Sequence, residues 1–98
     1  MTGEFVGKGR GGKLLRLRLD WTGDQVDAVA LRGDFFAHPE DGFEAAEAAL
    51  AGIPVAALGA TFGTELARHG VRVFGLEPGD LDDAAAAIMA RAAGEGAP

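Results

Sequence analysis

Leu15, Leu17 and Leu19 alternate with Arg16 and Arg18, and this two-residue period predicts a strand over Lys13 to Asp20 with one buried and one wet face. Such alternation belongs to an antiparallel sheet that is open to solvent on one side. Trp21-Thr22-Gly23-Asp24 follows as a hairpin connection, with Gly23 supplying a positive φ and Trp21 placed to cover the sheet edge. Gln25 to Arg32 is the return strand. Val29 and Leu31 share a face while Val26 falls out of phase, and a bulge near Asp27 reconciles the two. Upstream, Glu4 to Arg10 reads as a first strand or extended lead-in anchored by Phe5. Gly7 to Gly12 is too rich in glycine for a regular strand interior.

After Gly33-Asp34-Phe35-Phe36 the period changes from two to that of a helix. Side chains alternate in extended chain, so one Phe of this corner enters the core while the other leans outward or under the next helix. Gly33 permits close backbone packing, and Asp34 can hold the turn through nearby N–H groups. A helix is expected from Pro39, a residue suited to the first helical position, with Phe43, Ala46 and Leu50 on one stripe and Gly52 as its end. Pro54 opens a second helix, in which Val55, Leu58, Phe62 and Leu66 recur at helical spacing. Gly59 and Gly63 inside it either allow close packing or split it in two, and Gly70 ends it. Val71 to Phe74 is a short extended link or small edge strand. Pro78 seeds a third helix, whose Leu81, Ala84, Ala85, Ile88, Met89 and Ala92 give the cleanest helical period in the chain. Asp80, Asp82 and Asp83 read as its solvated start, and Gly94 to Pro98 as a frayed tail. Strands first and helices second predict an α+β fold. A small antiparallel sheet of two to three strands is covered on its Leu face by about three helices, in a single domain over 1–98.

A chain of 98 residues can bury a core without metal or disulfide. Hydrophobic content is 48%, but much of it is Ala, so the core leans on a few Leu, Val, Ile and Phe. There is no Cys, which excludes disulfides, thiolate nucleophiles and Cys-ligated zinc or iron–sulfur sites. Ser is also absent, and no nucleophile–base–orienter set can be assembled. His38 and His69 are the only histidines, and nothing in their spacing makes them a metal pair. No stretch is apolar enough to span a bilayer and the N-terminus lacks a signal pattern, so the expected location is cytoplasmic, with no membrane partner. The net charge of −6 disfavours nucleic acid as a partner. Yet Lys8, Arg10, Lys13, Arg16 and Arg18 crowd the first strands. A basic end on an acidic body is a local anion site, a complementary protein surface, or simply a solvated sheet face.

Gly7-Lys8-Gly9-Arg10-Gly11-Gly12-Lys13 matches a phosphate-binding P-loop up to its last position, where Leu14 replaces Ser or Thr. It also fits the dinucleotide-binding glycine pattern. Both motifs hold phosphate at the N-terminus of a following helix, and here a strand follows. Neither motif is completed. Successive glycine N–H groups flanked by Lys8, Arg10 and Lys13 can still contact an anion, the alternative being a flexible loop without a ligand.

Lys8-x-x-Gly11-Gly12-Lys13-Leu14, an alternating strand, Gly33-Asp34-Phe35-Phe36, then Pro39-Glu40 and a helix ending Ala51-Gly52 together resemble the C-terminal accessory domain of lipoate–protein ligases. The resemblance runs from Lys8 to the third helix. It implies a fold similar to the iron–sulfur scaffold and sulfur-acceptor proteins, without their cysteine chemistry. In the ligase family a catalytic domain uses ATP, with Mg, to turn lipoate into lipoyl-adenylate and passes the lipoyl group to a lysine of an acceptor protein. The accessory domain, fused or separately encoded, assists activation. With no catalytic domain of its own, this chain resembles the separately encoded subunit. The resemblance therefore implies the catalytic subunit as partner and a lipoyl acceptor protein indirectly. Lipoate and ATP would be held through the catalytic subunit, with no cofactor bound by this chain alone. It puts Lys8, Arg10, Gly11, Gly12 and Lys13 on a loop facing ligand or partner, and Gly33, Asp34, Phe35 and Phe36 at a structural corner. His38 departs from the pattern, standing where a stronger N-cap such as Ser is expected. The alternatives are a scaffold or protein-interaction module unrelated to lipoate, and an autonomous small enzyme, for which a catalytic constellation is lacking.

Overall fold

The computed structural model describes residues 1–95. Three antiparallel strands come first: β1 (Thr2–Lys8), β2 (Leu14–Thr22) and β3 (Gln25–Gly33), in the order β1-β2-β3. Leu15, Leu17, Leu19 and Trp21 of β2, with Val26 and Leu31 of β3, are all buried on one face. Each such leucine contributes about 2 kcal/mol relative to an exposed position. The predicted bulge is present. Asp20 pairs with Ala28 but Trp21 pairs with Val26, so Asp27 is the extra residue and Val26 turns inward opposite Trp21. Trp21 sits in the core rather than over the sheet edge, at 2% exposure. Strand β1 tolerates Gly7 because the Phe5 ring lies where a Cβ at position 7 would be.

The helical half departs from expectation in detail. Pro39 precedes the first helix in extended conformation, and α1 runs Glu40–Ala48. Gly52 lies beyond a further turn, where its N–H donates to the Val26 carbonyl at 2.7 Å. Pro54 opens a 3-10 turn, Val55–Ala57, which leads into α2 (Leu58–Arg68). Helix α2 is unbroken at Gly59 and Gly63. Helix α3 spans Pro78–Glu95, so the expected tail is still helical at Gly94 and Glu95; residues 96–98 lie outside the described residues. The helices cover the leucine face of the sheet, and Phe62, Leu58, Leu50, Leu81 and Ile88 fill the space between. The α+β architecture is therefore the one the alternation predicts. No helix among the described residues is long and apolar enough to cross a membrane.

One layer was only half legible in the sequence: an edge strand was one of the two readings of Val71 to Phe74, but its partner strand was not expected. β4 (Phe36–His38) pairs antiparallel with β5 (Arg72–Phe74), forming a second, two-stranded sheet. Ala37 and Val73 point inward to the core, while Phe36 and Phe74 lie directly opposite each other and outward.

Both sides of the larger sheet are managed differently. On the β3 edge, Val26 exchanges bonds with residues 52 and 53, and the Glu47 carboxylate of α1 accepts from the Leu31 N–H at 2.7 Å. That edge is thereby occupied at Val26 and Leu31, which limits further pairing. On the open face, Arg16 and Arg32 are directly opposite, a repulsive arrangement. Glu4 and Glu47 lie 3.9 Å from them, one beside each, and offset the like charges.

Candidate functional site

The glycine hairpin, the Phe corner and the start of α3 meet at one end of the molecule. The hairpin closes through the Gly9 N–H to the Lys13 carbonyl and the Gly12 N–H to the Gly9 carbonyl, both 2.9 Å. Gly12, at φ 78°, supplies the left-handed residue that such a turn needs. The corner is pinned beside it. The Asp34 N–H donates to the Leu14 carbonyl at 2.9 Å, and a Cβ at position 33 would overlap that same carbonyl oxygen. The turn is thus held by the backbone of Asp34, and its carboxylate makes no hydrogen bond among the described residues. Phe35 packs on Phe43 at 5.5 Å between ring centres, and Phe43 meets Phe62 edge-on at 5.9 Å, so the corner is tied into the core. Phe36 takes the other side and is 64% exposed.

Three aspartates expected to be a solvated helix start hold other segments: Asp80 and Asp83 the hairpin, Asp82 the start of α2. Asp80 is buried. One of its oxygens accepts from the Glu77 N–H at 2.9 Å and the other from the Arg10 N–H at 2.8 Å. The first bond, with the Asp80 N–H returned to the Glu77 carbonyl and Pro78 at the first helical position, forms a reciprocal cap. The second bond carries that cap across to the hairpin. Asp82 accepts from the Gly59 N–H at 2.9 Å, satisfying an orphan donor in the first turn of α2. Asp83 receives the Arg10 guanidinium at 3.0 and 3.3 Å.

This geometry corrects the expectation of an anion cradle. The N–H groups of Gly9, Arg10 and Gly12 are all used within the chain, so no succession of free amides remains. The Arg10 guanidinium is also occupied, by Asp83. Among the loop cations, Lys8 and Lys13 form no ion pair among the described residues. Lys8 pairs with Leu14 at the mouth of the hairpin and is exposed. The Lys13 stem lies against Gly75, at φ 88°, where a Cβ would stand 3.0 Å from its Cγ and 3.5 Å from the Phe35 Cα. Gly11 projects into open space.

The Arg10–Asp83 pair gives the loop a pH dependence. The hydrogen bond from Arg10, and then its charge, hold the Asp83 carboxyl below its ordinary value of 3.8, while Arg10 is raised and stays charged throughout. A carboxyl depressed by folding adds stability that is present above its unfolded value and lost as pH falls through its folded one. Acidification below about pH 4 should therefore weaken the hold of Asp83 on the hairpin. Amide exchange at Gly11 and Gly12 checks this, and Asp83→Asn should remove the pH-dependent part while Asp80 keeps its bonds. The aspartates were recognisable as helix-start acids, and the spacing Glu77-Pro78-x-Asp80 carries the signal of the reciprocal cap. Nothing in the sequence links them to Arg10, some 70 residues away.

The fold and this end of it define a class: a small α+β domain with a cysteine-free core that presents an anchored basic hairpin beside an aromatic corner. No protein-family model matches the chain, and no curated protein matches it significantly. The chain is similar to one in a solved structure described as an archaeal lipoylation system, a bipartite lipoate protein ligase and its E2 lipoyl domain from Thermoplasma acidophilum. The two superpose with a TM-score of 0.68 at 27% identity, over 87% of this chain and 97% of that one.

Proposed function

We propose that this chain is the accessory subunit of a two-component lipoate–protein ligase. It docks on a catalytic subunit and assists the ATP-dependent activation of lipoate to lipoyl-adenylate, ahead of transfer to a lysine of an acceptor protein. The observation that carries this reading is the near end-to-end likeness to a chain of a bipartite lipoate protein ligase system. The hairpin geometry supports it. A loop tied down by Asp80 and Asp83 keeps Lys8 and Lys13 free, and both are exposed.

In this reading ATP, Mg and lipoate are held by the catalytic subunit. The hairpin lies over the activation site, where Lys8 and Lys13 offset phosphate charge and the loop excludes water from the acyl-adenylate. Rigid anchoring matters because a loop that needs no ordering loses no conformational entropy on closing.

The test mixes the purified chain with its catalytic subunit, lipoate and Mg-ATP and follows pyrophosphate release. The chain should raise adenylate formation by about tenfold or more, and Lys8→Ala with Lys13→Ala should abolish most of that gain while the two chains still associate. Stable association with an unrelated protein, and no stimulation of a competent catalytic subunit, would instead establish an interaction module unrelated to lipoate.

A further inference from the structure

The two-stranded sheet bears the least expected surface in the molecule. Phe36 and Phe74, opposite each other across β4 and β5, are 64% and 62% exposed. Burying such rings is favourable, so leaving two side by side in water is a cost that folding alone does not explain. Neither is needed to close the core, because Ala37 and Val73 fill that role from the inner face.

The unpaired charges around this pair are sorted by sign. The chain has nine Lys and Arg residues. Arg10, Arg16, Arg18, Arg32 and Arg68 each lie beside a carboxylate, and Arg91 bonds the Glu4 carbonyl. Lys8, Lys13 and Arg72 are left. Arg72 is two residues from Phe74 on the same outward face of β5, and Lys13 lies against Gly75, next to Phe74 in the chain. On the other side, Phe36 borders a cleft of about 660 Å³ lined by Phe35 and Phe43, by Glu40 and Glu44 of α1, and by Arg32 and Glu47, which pair with each other at 3.9 Å. Neither Glu40 nor Glu44 forms an ion pair among the described residues. The aromatic pair thus divides unpaired cations from unpaired carboxylates.

We propose that this surface is where the catalytic subunit docks, and that the docking patch of that subunit has a matching polarity. It covers Phe36 and Phe74 with apolar side chains and turns a carboxylate toward Arg72. It also places a Lys or Arg in the cleft, its alkyl stem on the Phe35–Phe43 floor and its cation between Glu40 and Glu44. Long basic side chains bury their stems on apolar surface and bind well over aromatic faces, so cleft and occupant agree in shape and charge. A bipolar patch also sets orientation, since docking turned through a half circle would bring like charges together. With Lys13 at its border, the patch would fix where the hairpin reaches.

This inference rests on the reading of the chain as an accessory subunit, and the experiment separates the two. Affinity for the catalytic subunit is measured by calorimetry for the intact chain and for exposed-site variants, with the buried Trp21 fluorescence reporting the fold. Phe36→Ser with Phe74→Ser should weaken binding by about thirtyfold or more with the fold unchanged. Arg72→Glu and Glu44→Lys should each weaken it by about fivefold at low salt and less at high salt. If the intact chain does not bind, the accessory reading fails and this surface with it. If it binds and the Phe variants bind equally well, the docking surface lies elsewhere and only this inference falls. If the Phe variants instead turn a dimer of the chain into a monomer in sedimentation without weakening the heterocomplex, the occupant is a second copy and the inference is overturned.

Discussion

Asp80→Ala should lower the free energy of unfolding by about 3 kcal/mol, the summed cost of leaving two inward-facing N–H groups without an acceptor. Those groups belong to Glu77, at the start of α3, and Arg10, in the hairpin. Urea unfolding measures the loss, and a domain of this size should melt roughly 15 °C earlier. Asp80→Asn should cost about half as much, because the amide oxygen still accepts one bond while its NH2 faces the other donor. Amide exchange distinguishes this from a general loss of packing. The Arg10 N–H should lose its protection in Asp80→Ala, while the amides of β2 and β3 follow global stability. Unchanged protection at Arg10 would show that the hairpin holds itself closed without α3. Gly9 adds a second reason for the close fit, since a Cβ there would stand 2.7 Å from an Asp80 oxygen.

Gly59→Ala and Gly63→Ala should have opposite signs, although both replace glycine within the same helix. Intrinsic propensity favours Ala at each position by about 1 kcal/mol. At Gly63 the new methyl would meet the Pro78 Cγ at 3.4 Å, an ordinary contact, so stability should rise by up to about 1 kcal/mol. At Gly59 it would overlap the Asp82 carboxylate and stand 2.7 Å from the Pro78 carbonyl oxygen. Helices α2 and α3 would have to part, and the bond from the Gly59 N–H to Asp82 would break. A net loss of about 2 kcal/mol is expected, combining overpacking with a lost helix-start bond and offset in part by propensity. Chemical unfolding of the two variants in parallel settles the signs, and a gain at position 59 would refute the close approach of the helices.

What could be read in advance follows from period and range. The β2–β3 hairpin was legible because Leu15, Leu17 and Leu19 alternate strictly and the out-of-phase Val26 betrayed the bulge at Asp27. Helix α3 was legible through its apolar stripe. Strand β4 was not, and β5 only as one of two readings of Val71 to Phe74, because three residues carry no measurable period and their pairing spans the whole α1–α2 segment. Pro39 misled by one position: it is a good first helical residue, but here it is the extended cap residue just before α1. At the site, the lysines and the Phe corner were visible as motifs. The roles of Arg10 and the aspartates were hidden, since acids opening a helix usually face water and only the tertiary fold brings the hairpin to them.

The dependence of the hairpin on Asp80 also bears on biosynthesis. A nascent chain that has emerged from the ribosome only as far as α2 has made every residue of the loop but not the carboxylate that clamps it. Formation of the clamp must await a contact of very long sequence separation, which is among the last to be gained. Incomplete translation products would thus carry the lysines without a fixed platform, so any partner that tests for a rigid loop would discriminate in favour of finished molecules.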